Sequence, residues 1–273
     1  MNSEEQAMHT VTSRDGTTIA FDRAGEGPAI IMVDGALGQR AFNPTAAQLA
    51  ALLAPRFTVY YYDRRGRGES GDTAPYAVER EVDDLAALID AAGGSAFVVG
   101  VSSGAVLALD AAARGLAITK LALYEPPFIV DDSRPPLPDD YVSQLNVLVS
   151  AGRRGDAVEY FMTQAVGLPA EFVAPMRLEP FWPALEAVAH TLAYDGTIMG
   201  DTMSGNPLPA ERWASVTVPT LVIDGGASDA FMHHGAQALA DILPNARRRT
   251  LEGQMHNVAA EALAPVLDEF FAG

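Results

Sequence analysis

The stretch Ala96-Phe97-Val98-Val99-Gly100-Val101-Ser102-Ser103-Gly104 narrows the possible folds more than any other part of the chain. Residues 96–101 are a short apolar, β-branched run that suits a strand buried on both faces. Residues 103–114 then turn to strong helix formers, with Gly115 as the stop. Between strand and helix stands G-x-S-x-G, at Gly100, Ser102 and Gly104. So sharp a turn strains the backbone of its serine and lifts the hydroxyl above the sheet. Only small residues fit beside it, where strand and helix nearly touch. Ser102 is therefore a candidate nucleophile. The bland alternative, a glycine-rich turn with a solvated serine, is weighed against the rest of the chain.

Around this stretch, short apolar strands alternate with helices, the mark of a parallel sheet covered on both faces. Asp15-Gly16 predicts a hairpin between strands at 10–14 and 17–22. Further strands are expected at 29–33, 57–62, 120–124, 220–224 and 247–251. Helices are expected at 44–53, with Asn43 as cap, at 79–92 and 234–243, and as a C-terminal helix with Leu263, Val266, Leu267, Phe270 and Phe271 on its buried stripe. The rhythm breaks between Glu125 and Val218. Pro126, Pro127, Pro135, Pro136 and Pro138 open this stretch, and Gly205-Asn206-Pro207 with Pro209 closes it. Helical segments at 139–150, 155–166, 170–176 and 183–193 lie inside. The division that follows is a core of residues 1–125 and 216–273 and a helical lid of 126–215. Residues such as Tyr141, Phe161, Met162, Trp182, Met199 and Met203 form the insertion's own small core or an apolar ceiling for a hydrophobic ligand.

Bulk properties exclude whole classes. The 273 residues carry a net charge of −17, which argues against nucleic acid as a partner, and Arg64-Arg65-Gly66-Arg67 is too short to reverse this. With no Cys, there is neither a disulfide nor a thiolate nucleophile or metal ligand. The acidic residues 1–7 lack the basic and apolar regions of a signal peptide, and no apolar run reaches membrane-span length. A cytoplasmic protein without membrane contact is expected.

A serine hydroxyl needs a general base. Of the 5 histidines, His256 follows the last strand at the sheet edge where reactive groups gather, whereas His9, His190, His233 and His234 sit elsewhere. A carboxylate must orient the imidazole. Asp229, just after the strand at 220–224, stands at the same edge. Asp224 could instead cap the turn, and Glu125, after the strand at 120–124, is a second candidate acid.

These residues resemble those of the α/β-hydrolase superfamily, in its lid-bearing branch of esterases, lactonases and perhydrolases. The order Ser102, Asp229, His256 matches the family's nucleophile–acid–base order, and residues 62–70 are similar to its loop after the fourth strand. The resemblance implies an α/β fold with a mostly parallel central sheet, flanking helices and an inserted helical lid. It also implies an oxyanion hole built from the backbone N–H groups of Ala36 and Ser103. Two departures stand out: Asp34-Gly35 replaces the usual His-Gly, putting a carboxylate near a developing oxyanion, and Val101 replaces a polar residue before the nucleophile. Asp34, Leu37, Phe161, Trp182 and Met203 are the candidate pocket residues. The expected activity is hydrolysis of an ester or lactone of a small, largely apolar substrate through an acyl-enzyme, with neither cofactor nor metal. Two rivals stay open. One is acyl transfer, C–C hydrolysis, lyase or cyclisation chemistry on the same triad, and the other is ligand binding without turnover.

Overall fold

The computed structural model describes residues 9–273; residues 1–7, which carry the argument against a signal peptide, lie outside the described residues. Strands β1 (His9–Thr12) and β2 (Thr18–Ala24) pair as the expected antiparallel hairpin. The other strands are β3 (Ala29–Val33), β4 (Thr58–Tyr62), β5 (Ala96–Val101), β6 (Ile118–Tyr124), β7 (Thr220–Gly225) and β8 (Ala246–Leu251). Together they form an eight-stranded sheet in the order β1-β2-β4-β3-β5-β6-β7-β8. It is antiparallel only where β2 meets β1 and β4. The central strands read as nearly continuous apolar runs because both faces are covered. Ile30, Ile31, Val33, Val98, Leu121, Leu123, Val222 and Ile223 are accordingly buried.

The helices are α1 (Pro44–Leu53), α2 (Val78–Ala91), α3 (Ser103–Ala113), α4 (Tyr141–Ser150), α5 (Arg154–Tyr160), α6 (Ala170–Met176), α7 (Trp182–Ala187), α8 (Leu192–Met199), α9 (Ala230–Ile242) and α10 (Ala260–Ala272). Helices α1 and α10 close one face of the sheet, while α2, α3 and α9 close the other. The start of α1 is set by Pro44 in its first turn and by the Asn43 side chain, which accepts from the Ala46 N–H.

Between β6 and β7 the chain adds helices α4 to α8 and no strand. These helices enclose a small core of their own, around Tyr141, Leu145, Val158, Val173, Trp182 and Leu192. At the exit, Arg212 and the Trp213 indole N–H both donate to Asp110 of α3, fastening the insertion to the sheet domain.

Three helices depart from the sequence expectation, and the one expected over 183–193 divides into α7, a 3-10 turn at Ala189–Thr191 and α8. The helix expected over 155–166 divides into α5 and a π-helical segment, Phe161–Val166. There the Thr163 hydroxyl donates to the Glu159 and Tyr160 carbonyls, in competition with the backbone ladder. The helix expected over 234–243 begins instead at Ala230, which puts Asp229 at its N-cap. Among the described residues, no helix is long and apolar enough to cross a membrane.

Candidate active site

Parallel pairing brings several strand ends to one edge. Val101 lies opposite Tyr124, Tyr124 opposite Ile223, and Gly225 opposite Leu251. Ser102, Glu125 and the loop carrying His256 therefore leave the sheet side by side. Ser102 has φ +56° and ψ −128°, and its N–H donates to the Tyr124 carbonyl at 2.9 Å. A non-glycine residue held in such a conformation stores about 1–3 kcal/mol of strain, which the surrounding structure must over-determine. Gly104 allows this turn: a Cβ there would run into the Val33 and Asp34 carbonyl oxygens. Gly35 plays the matching part in the facing loop, where a Cβ would come within 2.8 Å of the Ser102 Cβ.

The carboxylate on the imidazole is Glu125, not Asp229. His256 Nδ1 lies 2.9 Å from Glu125 Oε2, while Glu125 Oε1 accepts from the Gly225 N–H at 2.7 Å. Glu125 is fully buried and sits at φ +43°, a left-handed conformation that directs its side chain under the β7 turn. The Tyr124 hydroxyl donates to the Met255 carbonyl at 2.6 Å and so pins the loop just before His256. Burial, reinforced by the Glu125 and Asp224 carboxylates, pushes that phenol well above its ordinary pKa and keeps it a donor.

Asp229 is exposed at the start of α9, without a capping hydrogen bond. Asp224 is buried and committed elsewhere. Arg248 binds it through Nε at 2.9 Å and Nη2 at 2.7 Å, Thr250 donates to it at 3.0 Å, and His233 Nδ1 approaches to 2.5 Å. The sequence alone cannot separate these carboxylates, because all lie at or just after the ends of strands that reach the same edge.

Ala36, in the loop after β3, and Ser103, the first residue of α3, flank Ser102, and among the described residues neither backbone N–H has a protein acceptor. The carboxylate of Asp34 is occupied by its own loop: Oδ1 accepts from the Gly35 N–H at 2.8 Å and Oδ2 from Asn43 Nδ2 at 2.6 Å. Behind the loop, Arg67 Nη1 donates to the Gly35 carbonyl at 2.5 Å. That carbonyl belongs to the same peptide group as the Ala36 N–H, so the guanidinium both orients and polarises the donor.

Arg67 belongs to a buried ionic cluster. Asp195 of α8 receives Arg64 Nη1 at 2.7 Å, Arg67 Nη2 at 2.6 Å and the Ser103 hydroxyl at 2.7 Å. Arg64 also binds Glu81 of α2 through two bonds of 2.8 Å. Burial alone would raise the Asp195 pKa, but Arg67, Arg64 and the Ser103 hydroxyl outweigh it and hold the carboxyl below the ordinary value. The residue after the candidate nucleophile is thereby tied to the helical insertion.

A cavity of about 560 Å³ lies between this edge and the insertion, lined by Ser102, Ser103, Ala36 and His256. Asp34, Phe161 and Met203 are on its wall, with Leu137, Tyr141, Met199 and Phe231. Trp182 is not: it is buried in the insertion's own core, with its indole N–H on Glu186 at 2.9 Å. Leu37 also stays off the wall, since at φ +62° it packs against that same core. Arg134 and Asp195 are wall residues that the sequence reading did not single out. The run of prolines around Arg134 marks a boundary, and nothing in residue order reports that Asp195 meets residues 64 and 67. Among the described residues, the Ser102 hydroxyl has no hydrogen-bond partner, as is common in unliganded sites where such bonds tighten only on substrate binding.

Residues 30–269 match the model of a family described as the alpha/beta hydrolase family. An alpha/beta hydrolase from Sphaerobacter thermophilus is similar over 96% of this chain and 100% of its own, at 61% identity and a TM-score of 0.88. A thermophilic esterase from Thermogutta terrifontis, solved with malate bound, is 21% identical over 97% of this chain and 98% of its own, with a TM-score of 0.71. The enol-lactonase from Burkholderia xenovorans is likewise 21% identical, over 97% of this chain and 100% of its own, with a TM-score of 0.67. No curated protein matches the chain.

Proposed function

The chain belongs to the α/β hydrolase family, and on that premise we propose that it is a serine hydrolase cleaving an ester or lactone through an acyl-enzyme. The observation that carries this reading is the 2.9 Å contact between His256 Nδ1 and buried Glu125, beside the strained Ser102 and facing the same cavity. Esterase and lactonase neighbours at low identity share the fold and add no detail of mechanism.

In the proposed cycle Ser102 Oγ attacks the carbonyl carbon while His256 Nε2 takes the hydroxyl proton. Glu125 accepts from Nδ1–H and stabilises the imidazolium. The N–H groups of Ala36 and Ser103 bind the new oxyanion. Collapse expels the alkoxy group, which leaves as the alcohol with the proton from His256. Water then attacks the acyl-serine, gives its proton to His256, and the acid departs as Ser102 recovers that proton. The helical insertion serves as the lid, supplying the apolar wall that receives the body of a small substrate.

A fluorophosphonate probe read by intact mass tests this directly. The parent protein takes up one adduct on Ser102 and Ser102→Ala takes up none. Ser102→Ala also loses about 10³-fold or more of its activity on p-nitrophenyl esters. Equal ester hydrolysis by both proteins would remove Ser102 from the mechanism.

A further inference from the structure

Besides His256, the cavity wall has one basic side chain among the described residues, Arg134, in the loop between β6 and α4. Its guanidinium lies over the Phe231 ring, with Cζ 4.8 Å from the ring centroid. On the insertion side, Gly167 is close enough that a Cβ would sit 3.1 Å from Arg134 Nη2. The side chain thus lies between the Phe231 ring and the insertion. Its one protein acceptor is the Gln164 carbonyl, which receives Nη2 at 2.8 Å. An arginine carries five N–H donors in a rigid fork, so most of this fork has no partner among the described residues. Among the described residues no carboxylate forms an ion pair with it, whereas the buried Arg64, Arg65 and Arg67 are all paired.

Two of the three carboxylates on the wall are already committed. Asp34 is taken by Gly35 and Asn43, and Asp195 by Arg64, Arg67 and Ser103. Asp229 stands exposed on the same wall without reaching Arg134. Burial lowers the Arg134 pKa, with Asp229 and Tyr141 pulling the other way, so the cation is held where a ligand anion would be welcome. Around it the wall is apolar, with Leu137, Phe161, Met203 and Phe231.

We propose that Arg134 determines specificity by binding a free carboxylate at the far end of the substrate, while Ser102 attacks an ester or lactone carbonyl at the other end. The proposal rests on the serine-hydrolase reading and narrows its substrate class to carboxylate-bearing esters and lactones with an apolar spacer. A planar carboxylate matches the open fork in a bidentate way. A single cation near Asp229, in a chain of net charge −17, suits a monoanion and disfavours a phosphate dianion.

The test compares mono-p-nitrophenyl glutarate with p-nitrophenyl butyrate. The parent favours the anionic ester in kcat/KM. In Arg134→Gln that ratio falls by about ten- to a hundredfold, mainly through KM, the size expected for losing a charge-assisted hydrogen bond. Arg134→Lys restores part of it. A ratio unchanged in Arg134→Gln overturns the proposal, as does a parent that prefers the neutral ester. Calorimetric binding of the same esters to Ser102→Ala, with and without Arg134→Gln, decides the anion site independently of turnover. Absence of both hydrolysis and a fluorophosphonate adduct would sink the hydrolase reading alone. Arg134-independent binding would sink this proposal alone. Tighter binding of p-nitrophenyl phosphate than of the glutarate ester would also refute the carboxylate assignment.

Discussion

Replacing Glu125 by Gln changes one atom and reverses what the imidazole can do. The Gly225 N–H requires an acceptor, so the new carbonyl oxygen stays where Oε1 was, 2.7 Å from that nitrogen. The amide nitrogen then faces His256 Nδ1 in place of Oε2, which stood at 2.9 Å. A donor there makes Nδ1 an acceptor and moves the ring proton to Nε2, the atom that must take the Ser102 proton. The variant also loses the charge that stabilises the imidazolium. Two unit charges about 4 Å apart at an effective dielectric of about 20 attract by about 4 kcal/mol, worth about a thousandfold in rate. With the wrong tautomer added, Glu125→Gln should lower kcat by about 10³–10⁴-fold; the amide substitution in the serine-protease template costs about 10⁴. The assay is steady-state p-nitrophenyl butyrate hydrolysis, with circular dichroism confirming that the variant folds. Asp229→Asn in the same assay should change kcat by less than about tenfold, since its carboxylate makes no contact with His256. The reasoning is refuted if Asp229→Asn loses about a thousandfold while Glu125→Gln keeps a tenth or more of the parent rate.

Two further outcomes follow from the packing. Asp195→Asn weakens the partner of Arg64, Arg67 and Ser103 and should destabilise the protein by about 3–5 kcal/mol in urea denaturation at pH 7, the range for breaking a buried ion pair. Because the folded Asp195 pKa lies below the unfolded value, its contribution is complete above about pH 4 and is lost as the pH falls through the folded value. Stability of the variant should therefore decline less steeply than that of the parent under acid, and parallel decline would contradict the assignment. Gly104→Ala drives a methyl group into the Val33 and Asp34 carbonyls and should cost about 1–3 kcal/mol, with loss of fluorophosphonate labelling. A variant that labels at the parent rate would show that the elbow tolerates the methyl.

Legibility in the sequence differed by the kind of information required. The sheet was legible because each central strand is a local apolar run, and Ser102 because G-x-S-x-G couples a strand end to a helix start within a few residues. The start of helix α1 was legible, since Asn43 and Pro44 mark it chemically. The acid was not legible. Glu125 and Asp229 both follow strands ending at one edge, and the choice turned on a left-handed backbone at Glu125 and on α9 starting early enough to leave Asp229 in solvent. Trp182 misled because an apolar residue in an insertion suits an internal core as well as a cavity wall. The π-helical segment and the Asp195 cluster arise from tertiary neighbours, which no local pattern encodes.

The Asp195 cluster also sets a fixed side and an open side to the cavity rim. Swinging α8 away from the sheet would part a buried carboxylate from two guanidiniums and a hydroxyl, so that side acts as a sealed jamb. The exposed wall residues lie elsewhere: Val166 at the end of the π-helical segment, Asp229 before α9, and Met255 and Asn257 beside His256. These exposed residues come from three separate segments, none of which carries the buried charges. Substitutions at that threshold can change the size and charge of what is admitted while the elbow and its ionic anchor stay as they are.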